Sequence, residues 1–168
     1  MSPPKSSIEN VSKLRQADLA PAAVGAFRPA AGLDAGDDKS LGLRGANSLQ
    51  APTEGSFSKY LAATIKAELQ TAGLLDEKAG TVISGELLEN ALDPAVETGQ
   101  AQLAARVVVM RDGAVRFDRR VEAKSQWESS FLGAVAIPLA ASQYEALYRK
   151  LVGNLLADED FRKALAKN

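Results

Sequence analysis

Residues Gly99 to Lys124 read GQAQLAARVVVMRDGAVRFDRRVEAK, and their pattern decides the fold. Ahead of Arg111-Asp112-Gly113, alternate positions are apolar: Ala101, Leu103, Ala105, Val107 and Val109. After it, Val115, Phe117, Val121 and Ala123 share one face, with Arg119 among them. Period-two alternation makes two half-buried strands joined by a tight connection. A two-residue Asp112-Gly113 turn would set Val108 against Phe117 and Val107 against Asp118, so the apolar faces disagree. A three-residue loop pairs Met110 with Ala114. It brings Val109 to Val115, Val107 to Phe117, Leu103 to Val121 and Ala101 to Ala123. A one-residue slip turns every side chain over, so the three-residue loop is expected, with Gly113 in the left-handed region. Arg119 then falls opposite Ala105 on the inner face. Either it sits at the sheet margin with its stem packed and its head in water, or a bulge turns it outward.

Working outward, Thr81–Leu92 (TVISGELLENAL) is a third strand. Leu87-Leu88 breaks its alternation, which predicts a bulge or an irregular end there, and Gly85 would allow close approach of a helix. Ser56–Ala72 is a helix whose Phe57, Leu61, Ile65 and Leu69 form one stripe. Ser56 or Ser58 caps it and Gly73 stops it. A short strand runs from Pro21 to Phe27. Near the end of the chain, a second helix starts either at Pro138 or at the Ser142…Glu145 capping box and runs to about Leu156. Asp158 then caps a short helix, Glu159–Ala166, anchored by Phe161 and Leu165.

The expected fold is α+β: an antiparallel sheet of about four strands in the order β-α-β-β-β-α. Two main helices cover one face, and a short C-terminal helix follows. The other face carries Gln100, Gln102, Arg106, Arg116, Asp118, Arg120, Glu122 and Lys124 and reads as solvated. Residues 1–20, with Pro3, Pro4 and several serines, read as a flexible tail or membrane tether, and 21–168 as one domain. Residues 30–55 form an unusually long Gly-rich connection.

The chain has 168 residues, 20 basic against 21 acidic, with no cysteine and no histidine. Thiol nucleophiles, disulfides, cysteine or histidine zinc sites and a catalytic imidazole are thereby excluded. The charge balance gives no bulk field for nucleic acid. Ser56-Phe57-Ser58-Lys59 matches the S-x-x-K spacing, in which a desolvated lysine activates a serine one helical turn away. The same spacing occurs in Ser2-Pro3-Pro4-Lys5, and neither Ser-Asp-Asn nor Lys-Thr-Gly accompanies it, so a helix cap beside a solvated lysine is the expectation. Glu86, Glu89 and Asp93 read as a solvated edge rather than a carboxylate site. Arg106, Arg111, Arg116, Arg119, Arg120 and Lys124 are interleaved with Asp112, Asp118 and Glu122, and Phe117 points inward, so no base-stacking platform is expected. Neither cofactor nor metal is expected.

Trp127 to Ile137 is the stretch with most functional content. It holds Trp127, Phe131, Leu132, Val135 and Ile137 and no charge after Glu128. In one reading it closes the core, with Trp127 extending the last strand and Phe131 and Ile137 plugging beneath the helix. In the other, part of it is exposed as an apolar anchor for a partner protein or a lipid.

FSKYLAATIKAELQTAG, TVISGELLENAL, the hairpin, WESSFLGAVAIP and LVGNLLADEDFRKAL together resemble small Gram-negative lipoproteins of the YajG-like kind. More distantly they resemble the auxiliary lipoproteins of lipid-transport ABC systems and the lipopolysaccharide-assembly lipoprotein. The resemblance covers about residues 56–168 and rests on element order and apolar pattern. It implies export, a lipid on an N-terminal cysteine that this sequence does not contain, and a periplasmic domain held at a membrane, the outer membrane foremost. It carries no catalytic residues. The expected function is therefore non-enzymatic: binding or supporting an envelope protein or lipid. The alternatives are a lipid or small apolar-ligand carrier and a hydrolase using Ser56 and Lys59. Self-association through an edge strand is a further expectation.

Overall fold

The computed structural model describes residues 1–167. Its elements are α1 (Ile8–Gln16), β1 (Ala23–Pro29), β2 (Ser40–Gly42), β3 (Ser48–Gln50), α2 (Phe57–Ala72), β4 (Thr81–Asp93), β5 (Glu97–Arg111), β6 (Ala114–Ser129), α3 (Gly133–Ala157) and α4 (Glu159–Leu165). The main sheet has the order β1-β4-β5-β6, and β2-β3 form a small second sheet. The α+β class agrees with the sequence pattern, and so does the strand–helix–three strands–helix order of the main sheet and its helices, but α1 precedes β1 and the β2–β3 hairpin is inserted between β1 and α2. The sheet is mixed, because β1 runs parallel to β4 while β4, β5 and β6 are antiparallel.

The hairpin closes differently from the three-residue loop expected. Arg111 pairs with Ala114 and Met110 with Val115, so Asp112 and Gly113 alone make the turn. Both have positive φ, 52° and 79°, which is the type I′ geometry that an Asp-Gly pair favours. The apolar faces are reconciled one residue later. The register shifts between Met110 and Val109, leaving Arg116 as an extra residue, so that Val109 faces Phe117, Ala105 faces Val121 and Leu103 faces Ala123. Val115 consequently lies on the outer face, 58% exposed, not on the inner one. Arg119 stays on the inner side opposite Val107, at the margin. Its guanidinium lies 5.9 Å from the Phe117 ring centroid and pairs with Asp158 and Asp160.

Of the bulge or irregular end expected at Leu87-Leu88, the structure has the bulge: Leu87 pairs with Ala105 and Glu89 with Ala104, leaving Leu88 extra. It brings Asn90 to the inner face. Gly85 does permit a close approach, but of the Phe27 ring and the Arg106 carbonyl, not of a helix. A Cβ there would sit 2.7 Å from Phe27 Cε1 and 2.3 Å from Arg106 O.

Helix α2 is bounded as read: the Ser56 side chain accepts from Lys59 N, and Gly73, at φ 78°, ends it. Burying Leu61, Ile65 and Leu69 on the sheet contributes roughly 1.5–3 kcal/mol each. Helix α3 begins at Gly133, earlier than Pro138 or Ser142, so Ser142 lies inside the helix rather than capping it. Asp158 caps α4 through Asp160 N and Phe161 N. Between the helices and the sheet, Phe57, Tyr144, Tyr148 and Tyr60 meet edge to face in a chain, with centroids 4.8 to 5.4 Å apart.

Within residues 1–20, read as a flexible tail or membrane tether, Ile8–Gln16 form helix α1 packed on the core. Ser7 caps α1, and Val11 and Leu14 are buried with the core. The reason is polar as well as apolar. Glu68 of α2 is buried and accepts from Ser7 N at 3.0 Å and Asn10 Nδ2 at 2.9 Å, so α1 supplies donors that its carboxylate needs. Within 30–55, Leu41 and Leu49 pair across β2-β3 and are both buried.

On the outer face, Arg106 is bound by Asp118 and Arg120 by Glu89, a solvated ladder over half of the sheet. At the hairpin end, however, Val82, Met110 and Val115 align across three strands, and this part is apolar rather than charged.

Candidate functional site

The serine–lysine pair does not assemble. Ser56 Oγ donates to the buried Asp38 at 2.7 Å and accepts from Lys59 N at 3.2 Å. The Lys59 amine instead pairs with exposed Glu54. Ser56 is thus a helix cap, and no free amine faces it. Glu89 is bound by Arg120, which holds its carboxyl below the usual range; Glu86 pairs with Arg28 and Arg106. Among the described residues, no group of three or more acidic side chains is placed to hold a metal ion. The buried tyrosines are structural. Tyr144 hydrogen-bonds Asn90 Oδ1 and lies 2.8 Å from the Tyr148 hydroxyl. Burial pushes the Tyr60 hydroxyl up to about 12 and raises those of Tyr144 and Tyr148 as well, so all three remain neutral.

What remains is the end of the molecule opposite the Asp112-Gly113 turn. Here β6 ends at Ser129, α3 begins at Gly133, and the β4–β5 connection runs alongside, with Glu97 opposite Ser129. Phe131 is 81% exposed, Leu132 64%, Val135 53% and, on the neighbouring connection, Val96 50%. Exposed large apolar side chains gathered at one end mark an interaction surface more often than single scattered ones do.

Their outward direction has a local cause. The first turns of α3 face the sheet with Ala136 and Ala140, both fully buried. The buried positions there are held by small residues, while Leu132, just before the helix, and Val135 are exposed. Lower down, the same inner stripe carries Tyr144, Leu147, Tyr148 and Leu151, which fill the wider core. Trp127 does extend β6 and is buried. Its indole lies flat over Gly99, where a Cβ would sit 2.4 Å from Cε2, and its Nε1 has no hydrogen-bond partner. Phe131 does not plug the core; Ile137 is half-buried.

One residue that sequence reading missed holds this tip together. Arg44, in the β2–β3 connection, donates to the carbonyls of Pro94 (2.6 Å), Ala95 (2.7 Å), Ser130 (2.6 Å) and Phe131 (3.3 Å) and to Ser129 Oγ (2.9 Å). Five acceptors, from two loops and the last residue of β6, converge on one guanidinium, whose fork of donors suits such a task. Its sequence signal is only a lone arginine between glycines, with no periodicity around it.

Grooves of about 480 Å³ beside α1 and about 410 Å³ on the outer sheet face lie outside the core. Among the described residues, no helix is long and apolar enough to cross a membrane.

No protein-family model and no curated protein matches the chain. Solved structures do. A Xanthomonas campestris protein of family DUF330 is 12% identical with a TM-score of 0.55, over 82% of this chain and 84% of that one. A candidate lipoprotein from Caulobacter crescentus CB15 is 10% identical with a TM-score of 0.51, over 92% and 93%. A hypothetical protein from Chlamydia trachomatis is 12% identical with a TM-score of 0.48, over 83% and 96%. At these identities the likeness is one of fold.

Proposed function

We propose that this chain is a non-enzymatic, lipoprotein-like domain of the bacterial cell envelope that binds or supports an envelope component through its apolar tip. The observation that carries this is the tip itself: Phe131, Leu132, Val135 and Val96 exposed together on a frame tied by Arg44. The fold shared with a candidate lipoprotein and the element order resembling YajG-like lipoproteins support an envelope setting, periplasmic and lipid-anchored, at the outer membrane. A carrier would need its cavity between the helices and the sheet, and that space is occupied by Phe57, Tyr60, Tyr144 and Tyr148. Edge strands β1 and β6 border the sheet, yet β6 is guarded in part: Lys150 and Asn154 of α3 donate to the carbonyls of Lys124 and Glu122.

The test is affinity capture of the full-length protein from envelope extracts, wild type beside Phe131→Ser/Leu132→Ser. A discrete component lost in the variant, with an unchanged melting temperature, is expected; equal capture by both would refute the role of the tip. Radiolabelled palmitate incorporation by the product of the complete gene tests the lipid anchor.

A further inference from the structure

The charges around the tip carry the reading of a docking surface further, to the chemistry of what docks. We infer that the tip seats in an apolar pocket of another protein whose border carries lysine or arginine, with Glu97 and Glu128 as the specificity-determining residues.

The two segments that build the tip, residues 89–105 and 125–148, contain no lysine or arginine and hold Glu89, Asp93, Glu97, Glu128 and Glu145. Three of these belong to the tip itself. Asp93 ends β4, Glu97 begins β5, and Glu128 pairs with Thr98 beside the Glu97–Ser129 pair. All three are exposed. Glu89, by contrast, is bound by Arg120, and Glu145 accepts from Ser2 N. Arg44, which ties the tip's loops, is spent on five neutral oxygens and has no donor left for a phosphate. The tip is thus an apolar centre with an acidic border.

This distribution decides between occupants. A bilayer containing anionic lipid attracts basic segments and repels acidic ones. Membrane-seating apolar residues are ordinarily flanked by lysine and arginine, and here they are flanked by carboxylates. A second copy presenting the same surface would oppose its own acidic border, since a two-fold interface brings like patches together. A protein pocket with a basic rim satisfies both parts: apolar burial supplies affinity, and opposite charge supplies register and a faster encounter. Among the three tip carboxylates, Glu97 alone also has a positive φ. It has φ 72°, a left-handed geometry rare for a non-glycine residue, and such strain concentrates at functional sites.

The inference rests on the docking reading above, and one experiment separates the two. A photo-crosslinking amino acid replaces Leu132 in the full-length protein, in cells of the source organism. It is combined with Glu97→Lys/Glu128→Lys, with Phe131→Ser, or with Glu159→Lys on the distant helix α4 as a charge control. The expected result is a discrete adduct with a different protein. Its yield falls about tenfold in the Glu97→Lys/Glu128→Lys variant and is unchanged in the control. The double variant should melt within about 2 °C of wild type, as surface changes do. A protein adduct lost with Phe131→Ser but indifferent to charge reversal would overturn the basic rim and leave docking standing. Adducts with phospholipid, with flotation on phosphatidylcholine–phosphatidylglycerol vesicles, would overturn a protein occupant, as would an adduct of two copies of the chain. Absence of any adduct at Leu132 would remove the docking reading itself.

Discussion

Arg44 donates to Ser129 Oγ at 2.9 Å, so a hairpin outside the main sheet holds the last residue of β6. The same guanidinium holds the β4–β5 connection through Pro94 and Ala95. Hydrogen bonds to a charged donor contribute about 1.5–3 kcal/mol, and their loss leaves several carbonyls unpaired. Arg44→Ala is expected to cost about that much in urea unfolding. It should also raise amide hydrogen exchange selectively in residues 95–97 and 129–133. Arg44→Lys, lacking the fork, should restore little of either. Exchange that rises uniformly across the sheet, or not at all, would show that the tip holds its shape without the arginine.

Gly99 is required by Trp127. A methyl group there would overlap the indole, and forcing extra volume into a packed site costs about 1–3 kcal/mol. Gly99→Ala should therefore destabilise the domain. Because Trp127 is the single tryptophan, the variant should also shift the fluorescence emission to longer wavelength. An unmoved emission maximum would mean that the indole does not lie against β5.

The docking of α1 can be read from two of its own residues. Leu14 is 1% exposed, whereas Ile8 is 93% exposed. Leu14→Ala should cost about 2–5 kcal/mol, as for a core leucine. Ile8→Ala should change stability by less than about 0.5 kcal/mol. Equal, small effects at both positions would restore the picture of an unattached tail.

Glu68 gives α1 a pH dependence. Burial raises its carboxyl above the ordinary value of 4.5, opposed by the hydrogen bonds from Asn10 and Ser7 and by the charge of Arg149. A group raised in the folded state contributes stability below its unfolded pKa and loses it as pH rises through the folded one. Relative to wild type, Glu68→Gln should therefore gain stability as pH is raised from about 4 toward neutrality. Urea unfolding across that range measures it. Parallel stability profiles would mean that the carboxylate is not held at a cost.

Local residues announced several elements without help. Ser56 and Gly73 bound α2, Asp158 starts α4, and Leu87-Leu88 marks a bulge, because each acts through its own backbone neighbours. The hairpin turn is an instructive failure. Asp112-Gly113 is a strong local signal for a two-residue turn, and face matching argued against it. Both are satisfied by the bulge at Arg116, which no period-two pattern displays. Helix α1 was illegible because its nine residues bury only Val11 and Leu14 as large apolar groups, and its attachment depends on Glu68, 58 positions from Asn10. Arg44 was illegible for the same reason, since its acceptors lie 50 to 87 positions away.

Alternation and helical stripes, with their caps and stops, determined that this chain is a sheet with helices on one side, because periodicity is set by each residue's own backbone geometry. The sequence also supplied the apolar run from Trp127 to Ile137. Only the tertiary structure decided which of those side chains reach solvent. Ala136 and Ala140 take the buried positions at the start of α3, Trp127 is taken up by Gly99, and Arg44 ties the loops, while Phe131, Leu132 and Val135 remain outside. Exposure depends on how distant segments fill space together, and no single stretch carries that information.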